Sequence, residues 1–149
     1  MVLVSPEIPP NTGSIARLCA ATGVRLHLVR PLGFSLDDRY LKRAGLDYWP
    51  FVDVRVHDDF AAFVGAEHPA RVHCFSARAH RNYLEVAYAR GDYLVFGSET
   101  TGLPAALLDA YRAHTYVIPI RSPHVRSLNL SNAVSIVVYE ALRQCGWTD

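Results

Sequence analysis

The sequence predicts an α/β fold in one domain, residues 1–149: a mostly parallel sheet flanked by helices. Short apolar runs alternate with segments of helical period along nearly the whole chain, the pattern of βα units around a sheet covered on both faces. No repeat, linker or low-complexity tract interrupts that alternation. The length of 149 residues, with 50% hydrophobic and 19% charged, suits one well-buried core rather than two.

The elements follow in order. Val2 to Val4 is a short apolar start, after which Pro6, Pro9 and Pro10 are expected to forbid regular structure. Asn11 or Thr12 is the expected cap of a helix from about Gly13 to Thr22, ended by Gly23, with Ile15, Leu18 and Cys19 turned inward. Arg25–Arg30 predicts a strand, Asp37–Ala44 a helix stopped by Gly45, and Phe51–Val56 a strand. A short helix over Asp58–Gly65 precedes a strand at Val72–Phe75, and His80–Tyr88 is expected to be helical on a weak pattern. Tyr93–Phe96 is an apolar strand running straight into Gly97. Pro104 starts a helix to about Ala110, and Thr115–Ile120 is the last strand. Leu130–Gln144 is the clearest helix, because Leu130, Val134, Val137, Val138, Ala141 and Leu142 keep the rhythm of one helical face.

Composition excludes several classes. No apolar run approaches the ~20 residues that span a bilayer, and the N-terminus lacks the zones of a signal peptide. No membrane association is expected. Cys19, Cys74 and Cys145 form neither a disulfide framework nor a paired metal motif, so the expected compartment is the reducing cytoplasm. The seven histidines are scattered and show no H-E-x-x-H or Cys/His spacing, so no metal is expected. The net charge is only +1, yet Lys42 is the one lysine among fifteen basic residues. A local arginine patch for phosphate is therefore compatible with near-neutrality.

Ligands of such sheets sit beyond the carboxyl ends of strands, and three loops fit that place. Pro9-Pro10-Asn11-Thr12-Gly13 stiffens the approach to a helix whose free N–H groups suit an anion, with Arg17 about one turn inside. Phe96-Gly97-Ser98-Glu99-Thr100-Thr101-Gly102-Leu103-Pro104 is a strand feeding a polar turn bracketed by glycines. It is neither a dinucleotide fingerprint nor a P-loop. Arg121, His124 and Arg126 form a small basic cluster ahead of Ser127, Asn129, Ser131 and Asn132, more polar residues than one helix cap needs.

Taken in order, Asn11-x-Gly13-x-x-x-Arg17, Gly97-x-Glu99-x-x-Gly102-Leu103-Pro104 and Ser127-Leu128-Asn129-Leu130-Ser131-Asn132-Ala133 resemble the three signature motifs of the SPOUT RNA methyltransferases. Pro6–Gly13 and Arg43-Ala44-Gly45-Leu46-Asp47-Tyr48 narrow the likeness to the small branch that methylates the ribose of tRNA nucleotide 34. The resemblance implies a C-terminal trefoil knot within about residues 70–149, S-adenosylmethionine bound in it, a homodimer with a shared site, and the tRNA anticodon stem-loop as substrate. It also implies residue roles. Arg17 would act at the 2′-hydroxyl, with Asn11 orienting it and Ser127 and Asn129 near the transferred methyl. Phe75, Gly97, Ile118 and Leu128 would carry the cofactor, with Glu99, Gly102, Ser127 and Asn132 on the same side. Arg17, Arg121, His124, Arg126 and Tyr139 would meet RNA. Ser14 stands where many relatives have Asn. Ser98 replaces a frequent proline and is expected to loosen its loop. A ribosomal RNA substrate and a non-catalytic RNA-binding module are the alternatives, and a dinucleotide oxidoreductase lacks its glycine fingerprint.

Overall fold

The computed structural model describes residues 1–43 and 47–146. One seven-stranded sheet organises them: β1 (Val2–Val4), β2 (Leu26–Val29), β3 (Val54–His57), β4 (Val72–Phe75), β5 (Arg81–Asn82), β6 (Tyr93–Phe96) and β7 (Thr115–Val117). Their spatial order is β3-β2-β1-β6-β4-β7-β5, and every pairing is parallel. Five helices cover it: α1 (Pro9–Thr22), α2 (Asp38–Arg43), α3 (Phe60–Glu67), α4 (Ala105–Ala110) and α5 (Leu130–Gln144).

The pleat sorts the core into two layers. Leu3, Leu26, Leu28, Leu94 and Phe96 pack with Ile15 and Cys19 of α1 and Val134, Val137 and Val138 of α5. Val2, Val4, Val29, Cys74 and Val95 pack on the other side with Phe63 of α3 and Leu103. The three valines of α5 are essentially inaccessible, each worth about 1.5–3 kcal/mol of apolar burial. The periodic stripe that made this helix legible is the stripe that holds it against α1.

Four sequence expectations need correction. The apolar start Val2–Val4 is a full interior strand of the sheet, paired with both β2 and β6. Pro9 and Pro10 do not forbid structure. They are the first two residues of α1, where the missing N–H costs nothing because those donors have no intrahelical partner. His80–Tyr88 is not helical: it holds the two-residue edge strand β5 and a single 3-10 turn over Tyr83–Glu85, whose amino end is closed by the reciprocal side chains of Asn82 and Glu85. The last strand stops at Val117, short of Ile120. The expected end of the second helix at Ala44 and Gly45 lies outside the described residues.

The topology also marks the place for a ligand. From β1 the chain crosses to β2 and β3 on one side, and from β6 it crosses to β7 on the other. β1 and β6 are neighbours whose following loops leave in opposite directions, which opens a crevice at their carboxyl ends.

Candidate active site

Both loops at that crevice are tightly built. Gly97 leaves β6 so close to the returning chain that a Cβ there would lie 2.1 Å from the carbonyl carbon of Gly102. No side chain fits. Gly102 itself has φ +70, the left-handed region that glycine enters freely. Between them Ser98 and Gly102 exchange backbone hydrogen bonds, with Ser98 N–H donating to the Gly102 carbonyl at 3.3 Å. The buried Ser98 hydroxyl is 2.8 Å from that of Thr101. Ser98 therefore does not loosen the turn as expected. Its N–H and hydroxyl supply two closures, neither of which a proline could make.

Glu99 projects from this turn onto the loop after β1. One carboxylate oxygen accepts the Glu7 N–H at 2.8 Å, and the other accepts the Ile8 N–H at 3.0 Å and the Asn11 side-chain amide at 3.3 Å. Thr100 adds a bond to the Glu7 carboxylate at 2.7 Å. Because a carboxylate only accepts, Asn11 must present its NH2 to Glu99 and its oxygen away. That oxygen accepts the side-chain amide of Asn129 at 3.0 Å. The Asn129 oxygen in turn accepts Ser131 N–H at 3.0 Å, the Ser131 hydroxyl at 2.6 Å and Asn132 N–H at 3.4 Å, and so caps α5. One relay of hydrogen bonds thus joins all three motif loops across 88 and 118 residues of sequence.

The relay revises the expected anion site on the first helix. Its cap residue is Ile8, not Asn11 or Thr12. Pro9 and Pro10 have no N–H, and the amides of Asn11 and Thr12 already reach the Ile8 carbonyl at 3.1 and 3.4 Å. With Glu7 and Ile8 given to Glu99, the helix start has no vacant amide for an external anion. Because α1 starts at Pro9, Arg17 lies two turns inside rather than one. It is exposed, six residues and about 9 Å along the axis from Asn11, and its guanidinium sits over the ring of Tyr48, 5.0 Å from the centroid.

The other expected residues divide in two. Phe75 is buried and stacked on Phe96 at 4.8 Å, at the end of β4 beside the crevice. Ile118, Leu128 and Ser127 belong to the irregular stretch between β7 and α5; the first two are half-buried and Ser127 and Asn132 are exposed. Arg121, His124 and Arg126 lie on the same stretch, all exposed, and neither arginine forms an ion pair among the described residues. Tyr139 is on the outer face of α5, 47% exposed. A cleft of about 360 Å³ beside the turn is lined by Ser5, Arg78, Ser98, Thr101 and Gly102. The sequence reading did not single out Arg78. A cleft of about 440 Å³ opens at the opposite, amino ends of β4 and β7.

A second polar cluster went unseen in the sequence. His27, His57 and Glu67 come from β2, β3 and α3, and their ligand-capable atoms lie within 4.8 Å of one another. The two rings share a hydrogen bond of 3.0 Å, and the Glu67 carboxylate takes Arg55 at 3.0 Å and the Tyr93 hydroxyl at 3.2 Å. Burial depresses His27 to about 4, partly offset by Glu67. Burial raises Glu67, but Arg55, His27 and Tyr93 outweigh it and hold the carboxyl below its usual range. The cluster is closed on itself, its carboxylate already balanced by an arginine. Burial also pushes the thiols of Cys19 and Cys74 up to about 11 and about 12, so both stay neutral.

Residues 1–139 match the SpoU rRNA Methylase family. The chain is 53% identical over 147 residues to the tRNA (cytidine(34)-2'-O)-methyltransferase of Escherichia coli K12, covering 99% of this chain and 94% of that one. A solved structure concerned with 2-OH methylation of C/U34 on tRNA superposes with a TM-score of 0.88 at 55% identity, covering 96% of this chain and 93% of that one. The A. aeolicus TrmH/SpoU tRNA modifying enzyme, at 24% identity and a TM-score of 0.76 over 96% of this chain and 73% of its own, shares the fold. The three motifs, the relay that joins them and a match over nearly the whole length place this chain in the SpoU rRNA methylase family.

Proposed function

We propose that the protein methylates the ribose 2′-hydroxyl of nucleotide 34, a cytidine or modified uridine, in the tRNA anticodon loop. The methyl donor is S-adenosylmethionine. An O–CH3 bond forms as the S–CH3 bond breaks, giving S-adenosylhomocysteine and releasing the hydroxyl proton. What carries the reading is that the Glu99–Asn11–Asn129 relay is assembled in a chain 53% identical, end to end, to an enzyme of that name.

The residues present fit the cofactor. The Gly97 turn allows backbone approach that any Cβ would block, and Phe75, Ile118 and Leu128 offer apolar surface beside it. Glu99, Gly102, Ser127 and Asn132 lie on the same loops, Glu99 serving through its grip on the loop after β1. Asn11 and Asn129, fixed by the relay, orient the ribose, with Ser127 beside them. Arg17 stabilises the developing alkoxide or the adjacent phosphate. It acts as a donor and a fixed charge rather than as the base, since a guanidinium offers N–H groups and no acceptor. Arg121, His124 and Arg126 grip phosphate, and Tyr139 meets RNA or the second protomer.

The same reading includes a trefoil knot within residues 70–149 and a homodimer. Exposed Ile8 at the cap of α1, and Ile136 and Tyr139 on α5, which packs against α1, support a partner there. Incubation with total tRNA and labelled S-adenosylmethionine, followed by mapping of the methylated nucleotide, tests the proposal. Label at position 34 is expected. Label only at another position or only in ribosomal RNA overturns the substrate, and no label overturns the activity.

A further inference from the structure

The arginines of this chain divide by what holds them: several pair with a carboxylate, whereas among the described residues Arg17, like Arg121 and Arg126, does not. Arg25, Arg55, Arg71, Arg112 and Arg143 each hold a carboxylate. Among the described residues Arg17 forms no ion pair, yet it is not loose: its guanidinium lies over the Tyr48 ring. A salt bridge would occupy the in-plane N–H groups and neutralise the charge. A ring against the flat face leaves the donors and the charge available in the plane.

Tyr48 is itself well anchored. It precedes a 3-10 turn over Trp49–Phe51 whose ends are closed by Phe51 N–H to the Tyr48 carbonyl at 3.0 Å and Val52 N–H to the Trp49 carbonyl at 3.3 Å. Trp49 and Val52 both pack into the core layer that contains α1. The turn is therefore fixed to the same layer as the helix that carries Arg17. Tyr48 directly precedes this anchored turn and is itself exposed, with its ring under the guanidinium.

We propose that Tyr48 is a positioning residue for the methyl transfer, holding the guanidinium of Arg17 by its aromatic face while leaving every N–H donor to the RNA. This rests on the function proposed above for Arg17. An exposed arginine otherwise samples many rotamers, and each turnover must select one.

The test compares Tyr48→Phe, which keeps the face, with Tyr48→Leu and Tyr48→Gln, which lose it. Tyr48→Phe is expected within twofold of the parent kcat. The other two are expected to lose about five- to tenfold in kcat, with KM for tRNA and S-adenosylhomocysteine affinity within about twofold. Parent-like kcat in Tyr48→Leu overturns the proposal, as does an equal loss in Tyr48→Phe. The Arg17 Nε–Hε resonance gives a second reading without turnover. Its ring-current shift should persist in Tyr48→Phe and vanish in Tyr48→Leu. If the parent methylates no RNA, the function proposal fails while this resonance still decides the positioning: identical spectra overturn it.

Discussion

The two polar clusters are built from the same chemistry and do opposite things. At the crevice, Glu99, Asn11 and Asn129 form a relay that runs from one loop to the next and ends at the start of α5. In the core, His27, His57 and Glu67 form a knot of contacts that Arg55 and Tyr93 close. The first uses a carboxylate to hold backbone N–H groups whose helix start, headed by two prolines, cannot satisfy itself. The second places one beside two buried imidazoles and holds it with Arg55 and Tyr93. A carboxylate with neutral donors ties segments together; one with an arginine balances charge in place.

The sharpest way to break this contrast is Glu99→Ala. It strands the Glu7 and Ile8 N–H groups and the Asn11 amide, and hydrogen bonds to a charged group are each worth about 1.5–3 kcal/mol. A loss of about 3 kcal/mol or more in urea unfolding is expected, together with a fall in methyl transfer of about 100-fold, the order that a misplacement of about 1 Å from a residue away from the chemistry costs. Glu99→Gln should be nearly as damaging, because its NH2 would face a donor where the carboxylate accepts. Parent-like stability in Glu99→Gln breaks the clamp.

Asn11→Asp comes next, because it attacks the relay's direction rather than its anchor. Its carboxylate would accept from Asn129 as before but meet Glu99 as a second anion instead of a donor. Methyl transfer should fall about 100-fold with far-UV circular dichroism unchanged. Asn11→Ala should be milder in stability and comparable in rate. A fully active Asn11→Asp would show that the relay does not orient the reacting groups.

The relay also shows where sequence reasoning stops. α5 was legible because its apolar stripe is local, and the motif loops were legible from their residues and order. Their connection was not. Glu99 reaches Asn11 across 88 residues, and no local pattern predicts that a carboxylate in one turn will serve another segment's amides. The same blindness turned Pro9 and Pro10 into a barrier rather than a helix start, and left Val2–Val4 unrecognised as an interior strand, since three residues carry no period. His80–Tyr88 failed for the reverse reason: its weak pattern covers a strand of only two residues, held by pairing with β7. His27, His57 and Glu67 come from separate elements whose spacing encodes nothing by itself.

The core cluster predicts a pH dependence. His27 titrates near 4 in the folded chain and near 6.5 when exposed. Between those values the unfolded chain binds more protons, so stability rises with pH across the window and is lost as pH falls through it. From pH 7 to pH 5 the loss from this group is about 2 kcal/mol. Glu140, held at about 2 by Arg143 and Gln144, titrates below that range. Thermal unfolding of His27→Gln should flatten between pH 6.5 and 5. An unchanged slope would place the acid sensitivity elsewhere.

The smallest effect lies one residue from the relay and sharpens what satisfaction means there. Thr12 follows Asn11 in α1, and its side chain is fully buried. Its hydroxyl has no hydrogen-bond partner, whereas both polar atoms of the Asn11 side chain are used. A buried hydroxyl without a partner keeps its desolvation cost and returns nothing. Thr12→Val keeps the branched shape and removes that cost, so it should be neutral or stabilising by up to about 1 kcal/mol, with methyl transfer within twofold. Destabilisation of the same size would mean the hydroxyl does find a donor or acceptor in solution. The relay would then extend one residue further into the helix than Asn11, toward the sheet rather than toward the crevice.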